Sequence, residues 1–154
     1  MSARERIVIV DSSILMHAVK GKKGLPINIE EALISVSEGK KLVVLDTTIE
    51  ELNILKSRRK GKTRLAADFA LELIKSLNIH IVKADEDIVK EVMSIGRKLK
   101  RYEIYDEILV RMAERLNASV ATIDGELVKK LRRRNIPCYV LHGYKWVKVA
   151  GYEY

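Results

Sequence analysis

The chain has 154 residues, 47% hydrophobic and 32% charged, with two Pro and eight Gly; that is the size and balance of a single compact domain over residues 1–154 and excludes a disordered chain. No run reaches the roughly 18 to 20 apolar residues of a membrane span, and residues 1–6 lead straight into an apolar strand rather than a signal peptide, so a cytoplasmic protein without a membrane partner is expected. Lys and Arg number 29 against 21 Asp and Glu, a formal charge of +8, which attracts polyanions without choosing among them and fits a salt-bridged surface equally well.

Short apolar runs alternate with helix-period segments, the pattern of parallel strands joined by crossover helices. The first run, Ile-Val-Ile-Val ending in Asp11-Ser-Ser, has no polar alternation and reads as a strand buried on both faces, with the acid at its carboxyl end. Residues 13–19 follow as a short helix that Asp11 or Ser12 can cap. A basic glycine-containing loop covers residues 20–26 and includes Lys22 and Lys23, and Ile29, Ala32, Leu33 and Val36 mark a second helix over residues 28–38.

Residues 41–45 form the second strand, and Asp46-Thr-Thr caps the next helix, which carries Ile49, Leu52 and Leu55 inward. At about 100° per residue, Glu51 falls roughly 100° from the centre of that stripe and Glu50 roughly 160°, so Glu51 lies nearer the sheet. The most basic stretch, residues 57–64, reads as a loop leading into a helix and contains Arg58, Arg59, Lys60, Lys62 and Arg64. Leu65, Ala66, Phe69, Ala70, Leu73 and Ile74 then define an amphipathic helix ending near Leu77.

A brief strand over residues 80–82 and a helix over residues 84–99 come next. Ile104, Ile108, Leu109, Met112, Ala113 and Leu116 mark another helix, with Asp106 in its first turn. Residues 119–122 are the fourth strand, running into Ile123-Asp124-Gly; a helix ending in the basic run 129–134 and a fifth strand over residues 138–141 follow. Residues 144–149 can add an edge strand. Cys138 is the only cysteine, so no internal disulfide or thiolate cluster forms, and it reads as a small buried hydrophobe. His17, His80 and His142 share no metal-ligand spacing.

Asp11 and Asp124 each stand just past an apolar strand and before a helix. In a parallel sheet such ends share one edge, and if the two strands adjoin at the switch point the acids sit over the crevice. Glu51 and Asp106 come from helices that begin at the same edge. Taken singly, Asp11, Asp106 and Asp124 are explained as ordinary caps or first-turn acids. Gathered together, they repel, and a hard divalent cation such as Mg²⁺ or Mn²⁺ resolves the repulsion. Ser13 and Thr122 stand beside two of the acids, placed to orient water or a phosphate oxygen.

The segments Ile-Val-Ile-Val-Asp11, Ile-Glu-Glu51-Leu, Tyr-Asp106-Glu-Ile-Leu-Val and Val-Ala-Thr-Ile-Asp124-Gly resemble, in order, the four acidic motifs of the PIN-domain nucleases. The resemblance covers almost the whole chain. It implies a three-layer, flavodoxin-like α/β fold with a central parallel sheet of about five strands, and a metal-dependent endoribonuclease whose metal-binding and catalytic acids are Asp11, Glu51, Asp106 and Asp124, with one or two Mg²⁺ or Mn²⁺ ions. The family commonly has Asn or Thr where this chain has Ser12 and Ser13, and a polar residue where Ile123 stands. Within the family the chain looks more like the domains of ribosomal-RNA processing than the toxin type.

RNA is the expected partner, with Lys22, Lys23, Arg58, Arg59, Lys60, Lys62 and Arg64, and the 129–134 run, as phosphate contacts that would offset repulsion from the acids. Tyr102 and Tyr105 are the aromatics placed to stack on bases, and recognition would read RNA shape or a loop rather than a long sequence. A homodimer, a ribosome-assembly factor and an antitoxin are the protein partners the resemblance allows. A toxin nuclease and a non-cleaving RNA scaffold stay open beside the processing nuclease; a plain nucleotide binder is disfavoured, since no glycine-rich loop follows a strand.

Overall fold

The computed structural model describes residues 6–20, 33–35, 37–95, 98–142 and 145–149. Strands β1 (Arg6–Val10), β2 (Lys40–Leu45), β3 (His80–Val82), β4 (Ser119–Thr122), β5 (Cys138–His142) and β6 (Lys145–Val149) form one sheet in the order β3-β2-β1-β4-β5-β6. The first five are parallel, and β6 returns antiparallel along β5. The chain steps outward from β1 through β2 to β3, then crosses back to lay β4 and β5 on the other side. Strands β1 and β4 therefore flank the switch point, where the crevice of an open α/β sheet lies.

Helices α1 (Ser12–Lys20), α2 (Asp46–Arg58) and α3 (Gly61–Ser76) cover one face, while α4 (Glu86–Ile95), α5 (Arg101–Leu116) and α6 (Gly125–Arg133) cover the other. Val8, Ile9 and Val10 are fully buried because the sheet is packed on both faces. Ile9, Val43, Leu45 and Val120 meet Ile88, Ile108, Met112 and Leu127 on one side; Val10 and Val44 meet Ile14, Leu15, Leu52 and Leu73 on the other. The result is a three-layer α/β architecture, and Cys138 is buried in the first of these two clusters.

Several expectations are corrected. Leu65 and Phe69 point outward, 62% and 37% exposed, and Ala66, Ala67, Ala70, Leu73 and Ile74 form the inner face of α3. Small alanines let α3 approach α1 and α2 closely, a choice of face that the apolar periodicity left ambiguous. The loop expected within the basic stretch 57–64 is shorter than the stretch: α2 continues to Arg58 and α3 starts at Gly61, leaving only Arg59 and Lys60 between them. Gly61 takes φ +65°, the left-handed conformation this abrupt junction requires.

Helix α5 begins at Arg101, where the Lys100 N–H donates to Glu103 Oε1 at 3.3 Å. Asp106 therefore lies beyond the first turn, and its placement is not that of a capping acid. On α2, Thr48 is buried beside Leu52, with Ile49 and Leu55 half-buried. Asp46 opens this helix and its Oδ1 accepts from the N–H groups of Thr47 (2.8 Å) and Ala84 (2.9 Å), tying the end of β2 to the loop after β3. Helix α4 is shorter than expected, and of the helix expected over residues 28–38 only 33–35 are described as helical. Lys22 and Lys23 lie outside the described residues.

Candidate active site

The β1–β4 pairing runs Val8 to Ser119, Ile9 to Val120 and Val10 to Ala121. It continues with the Asp11 N–H donating to the Ala121 carbonyl at 2.9 Å, so Asp11 is set beside Thr122. Asp11 is buried, and its Oδ2 accepts from Ser13 Oγ at 2.6 Å and Thr122 Oγ1 at 2.8 Å. Both hydroxyl protons are thereby committed to one carboxylate oxygen. The hydroxyl oxygens in turn accept backbone protons, Ser13 Oγ from Ile123 at 3.2 Å and Thr122 Oγ1 from Asp124 at 3.0 Å. This network joins the end of β1 to the turn after β4.

Asp124 is also the N-cap of α6: its Oδ1 accepts from the N–H groups of Glu126 (3.0 Å) and Leu127 (3.5 Å). The capping explanation is correct for that oxygen, while Oδ2 makes no hydrogen bond with a described residue. Capping thus fixes the rotamer and leaves the second oxygen uncommitted among the described residues.

Glu51 and Asp106 complete the group. Burial lifts the Glu51 carboxyl to about 7, with the charges of Asp11, Asp106 and Asp124 adding to the rise and a hydrogen bond from Ser12 opposing it. Burial likewise lifts Asp106 to about 7, aided by Asp11 and Asp124 and opposed by Lys130. Asp11 is raised by burial and, less, by Asp124, against the hydrogen bonds from Ser13 and Thr122. Each of these raised carboxyls feels at least one other member of the set, as like charges in one crevice must. Glu50 is exposed and instead accepts a hydrogen bond from the Tyr105 hydroxyl, which agrees with the helix-angle choice of Glu51.

Among the described residues, no three His, Cys, Asp or Glu side chains make a ready-made coordination shell. The donor chemistry still fits a hard cation that keeps several waters and takes one or two carboxylates directly, since such ions dehydrate reluctantly. Asp11, Glu51, Asp106 and Asp124 are the residues that could hold it.

Of the expected basic contacts, Arg58 and Arg59 line a cleft that Glu51 lines as well. Lys60, Lys62 and Arg64 are exposed around the α2–α3 junction and line no described cleft. The 129–134 run divides: the charge of Lys130 is felt by Asp106 in the site, whereas Arg134 pairs with Glu107 and Glu114 and Lys129 lies 3.4 Å from Glu126. Ser12, read from the sequence as a cap candidate, acts on Glu51 instead, and Arg101 in the cleft lining escaped the sequence reading. Arg101 carried a usable signal, because it opens the helix on which Tyr102, Tyr105 and Asp106 share a face by their three- and four-residue spacing.

An acid-lined switch-point crevice on this sheet defines a class: residues 8–132 match the PIN domain family, and the chain belongs to it. Ribonuclease VapC4 of Methanocaldococcus jannaschii is 32% identical over 147 residues, covering 94% of this chain and 96% of that protein. Among solved structures, VapBC2 from Rickettsia felis, bound to a DNA fragment from its promoter, matches with a TM-score of 0.55 at 14% identity over 80% of this chain and 92% of that one. A domain of a functionally unknown Methanocaldococcus jannaschii protein matches at 0.56 and 16% identity, over 91% and 94%. Likenesses this distant establish the shared fold. No helix of the described residues is long and apolar enough to cross a membrane.

Proposed function

We propose that this protein is a metal-dependent endoribonuclease of the toxin type, hydrolysing RNA phosphodiester bonds with Mg²⁺ or Mn²⁺, one or two ions. The observation that carries the reading is the meeting of Asp11, Glu51, Asp106 and Asp124 at the switch point, where their charges disfavour one another. An all-oxygen, self-repelling donor set gains most from a hard divalent cation. Bound there, such a cation supplies positive charge for the phosphoryl group and the departing oxygen of an in-line displacement.

The chain's own residues hold the acids and admit the substrate. Ser13 and Thr122 lock Asp11, the first turn of α6 locks Asp124, and Ser12 restrains Glu51. Arg58, Arg59 and Arg101 bring positive charge beside the acids, which an approaching polyanion requires.

The 32% identity to a protein named as a VapC ribonuclease supports RNA as the substrate and the toxin role over ribosomal-RNA processing. The same identity supports an antitoxin chain as the partner. The exposed Leu65 and Phe69 on α3 offer apolar surface to such a chain or to a second copy.

The test is incubation of the purified protein with structured and unstructured RNA, in Mn²⁺ or in chelator. Cleavage is expected in Mn²⁺ alone, and Asp11→Asn or Asp124→Asn should abolish it while the circular dichroism spectrum is kept. Undiminished cutting by both variants rejects the assignment. Binding without cutting by the native chain would instead establish a scaffold.

A further inference from the structure

The basic run at the end of α6 is not uniform. Lys129, Arg132, Arg133 and Arg134 are exposed, whereas Lys130 is half-buried. Lys129 lies 3.4 Å from Glu126 of its own helix and Arg134 pairs with α5, but Lys130 forms no ion pair with a described residue. We infer that the Lys130 ammonium is the resident counter-cation of the acid crevice, and that a divalent ion binds the four acids in competition with its charge. The inference rests on the metal-dependent reading above and adds how that site is regulated: its occupancy, and with it the activity, is graded by the concentration of free divalent ion.

Packing places that ammonium. Leu127 and Leu131 turn into the core, and at about 100° per residue Lys130 and Arg134 fall together on one flank of that stripe. Arg134 reaches Glu107 at 3.1 Å and Glu114 at 2.6 Å, so this flank faces α5. Helix α5 ends just before β4 and α6 starts just after it, so both run from the carboxyl edge of the sheet towards the amino edge. One turn back from Arg134 along α6 is therefore one turn nearer the acids, which brings Lys130 beside the part of α5 that carries Asp106. The Asp106 carboxyl registers that charge, which opposes the rise caused by burial and by Asp11 and Asp124.

A positive charge at this position acts in two ways. While the crevice is empty, it answers part of the mutual repulsion of the carboxylates. When a divalent ion arrives, the same charge repels it twice as strongly as it would a monovalent one, and partial burial limits the screening by water and salt. Arg58, Arg59 and Arg101 also bring positive charge near Glu51, but they are exposed and more fully screened. Lysine suits the role, because its ammonium is a compact point charge on a flexible stem that can withdraw as the ion enters.

The test is calorimetric titration of full-length, metal-free protein with Mn²⁺ at about pH 8, above the value of about 7 to which Glu51 and Asp106 are lifted, so that protons compete little. Lys130→Met and Lys130→Gln should each bind Mn²⁺ about tenfold more tightly than the native chain. Lys130→Arg, which keeps the charge, should stay within about threefold of the native affinity, as should Lys129→Met on the exposed side. A merely structural role for Lys130 would weaken binding or leave it alone, and would not tighten it. Under the ribonuclease reading, the Mn²⁺ concentration for half-maximal cleavage should fall in parallel.

Equal or weaker Mn²⁺ affinity in both Lys130→Met and Lys130→Gln overturns the inference and leaves the metal reading standing. Tightening by Lys129→Met as large as that by Lys130→Met also overturns it, because net charge rather than place would then be responsible. An absence of Mn²⁺ binding by the native chain and by both Lys130 variants overturns the metal reading itself, and this inference with it.

Discussion

On the outer side of α5, Arg111 pairs with Glu91 at 3.2 Å and Glu107 at 3.0 Å, and Arg134 with Glu107 at 3.1 Å and Glu114 at 2.6 Å. Arg115 pairs with Asp85 and Asp87, both at 2.8 Å. Around the crevice, Arg58, Arg59 and Arg101 stand without an ion pair to any described residue, close to acids that themselves repel. In the first region each charge is answered locally, which joins α4, α5 and the end of α6. In the second, charges of both signs are held apart by the rigid ends of helices and strands. The same residue types stabilise the fold where they are paired and prepare it for ligands where they are not.

The sharpest way to break the contrast is Thr122→Val, which keeps the shape of a fully buried side chain and removes its hydroxyl. Asp11 would lose a donor and the Asp124 N–H an acceptor. Cleavage in Mn²⁺ should fall about ten- to hundredfold, and urea unfolding should report a loss of about 2 kcal/mol at neutral pH. Undisturbed activity would show that this hydroxyl does not hold Asp11 for the reaction.

Next in size is the pH response of the metal-free protein. The unfolded chain releases the Glu51 and Asp106 protons near 4.5 and 3.8, whereas the folded chain keeps both to about 7. The folded state therefore binds more protons across that window, and its stability must fall as pH rises through it. In chelator, Tm is expected to drop by roughly 5 °C or more between pH 5 and pH 7.5. Glu51→Gln should flatten the fall, and added Mn²⁺ should reverse it in the native chain. Identical profiles for the native chain and Glu51→Gln would count against crowding of the acids.

The smallest effect belongs to the paired region. Arg111→Met removes a guanidinium shared by two carboxylates, one of them well covered, while keeping an apolar stem; it should cost about 1 kcal/mol, or about 2–4 °C in Tm. The rate of RNA cleavage should stay within about twofold, since the pair's field is answered locally and screened. A large loss of activity from Arg111→Met would join the two regions and dissolve the distinction between them.

Much of this was legible residue by residue. The run before Asp11 stands out because a strand buried on both faces has no polar alternation, so the first acid after it marks the strand's end. The strand before Asp124 reads the same way, and the helix angle separated Glu51 from Glu50. Other features depended on neighbours. Leu65 and Phe69 share the apolar spacing of α3 with Ala66, Ala70, Leu73 and Ile74, which leaves the buried face open, and packing against α1 and α2 selects the alanine side. Asp106 resembled a first-turn acid until the contact of Glu103 with the Lys100 N–H moved the start of α5 to Arg101.

The sequence by itself determined the order of strands and helices and that Asp11 and Asp124 follow β1 and β4, because apolar periodicity is local. Only the tertiary structure decided that β1 and β4 lie side by side, that Thr122 grips Asp11 across 111 positions of chain, and that Arg58, Arg101 and Tyr102 border one cleft. Such meetings follow from the order of strands in the sheet, which is set by the packing of both helical layers at once.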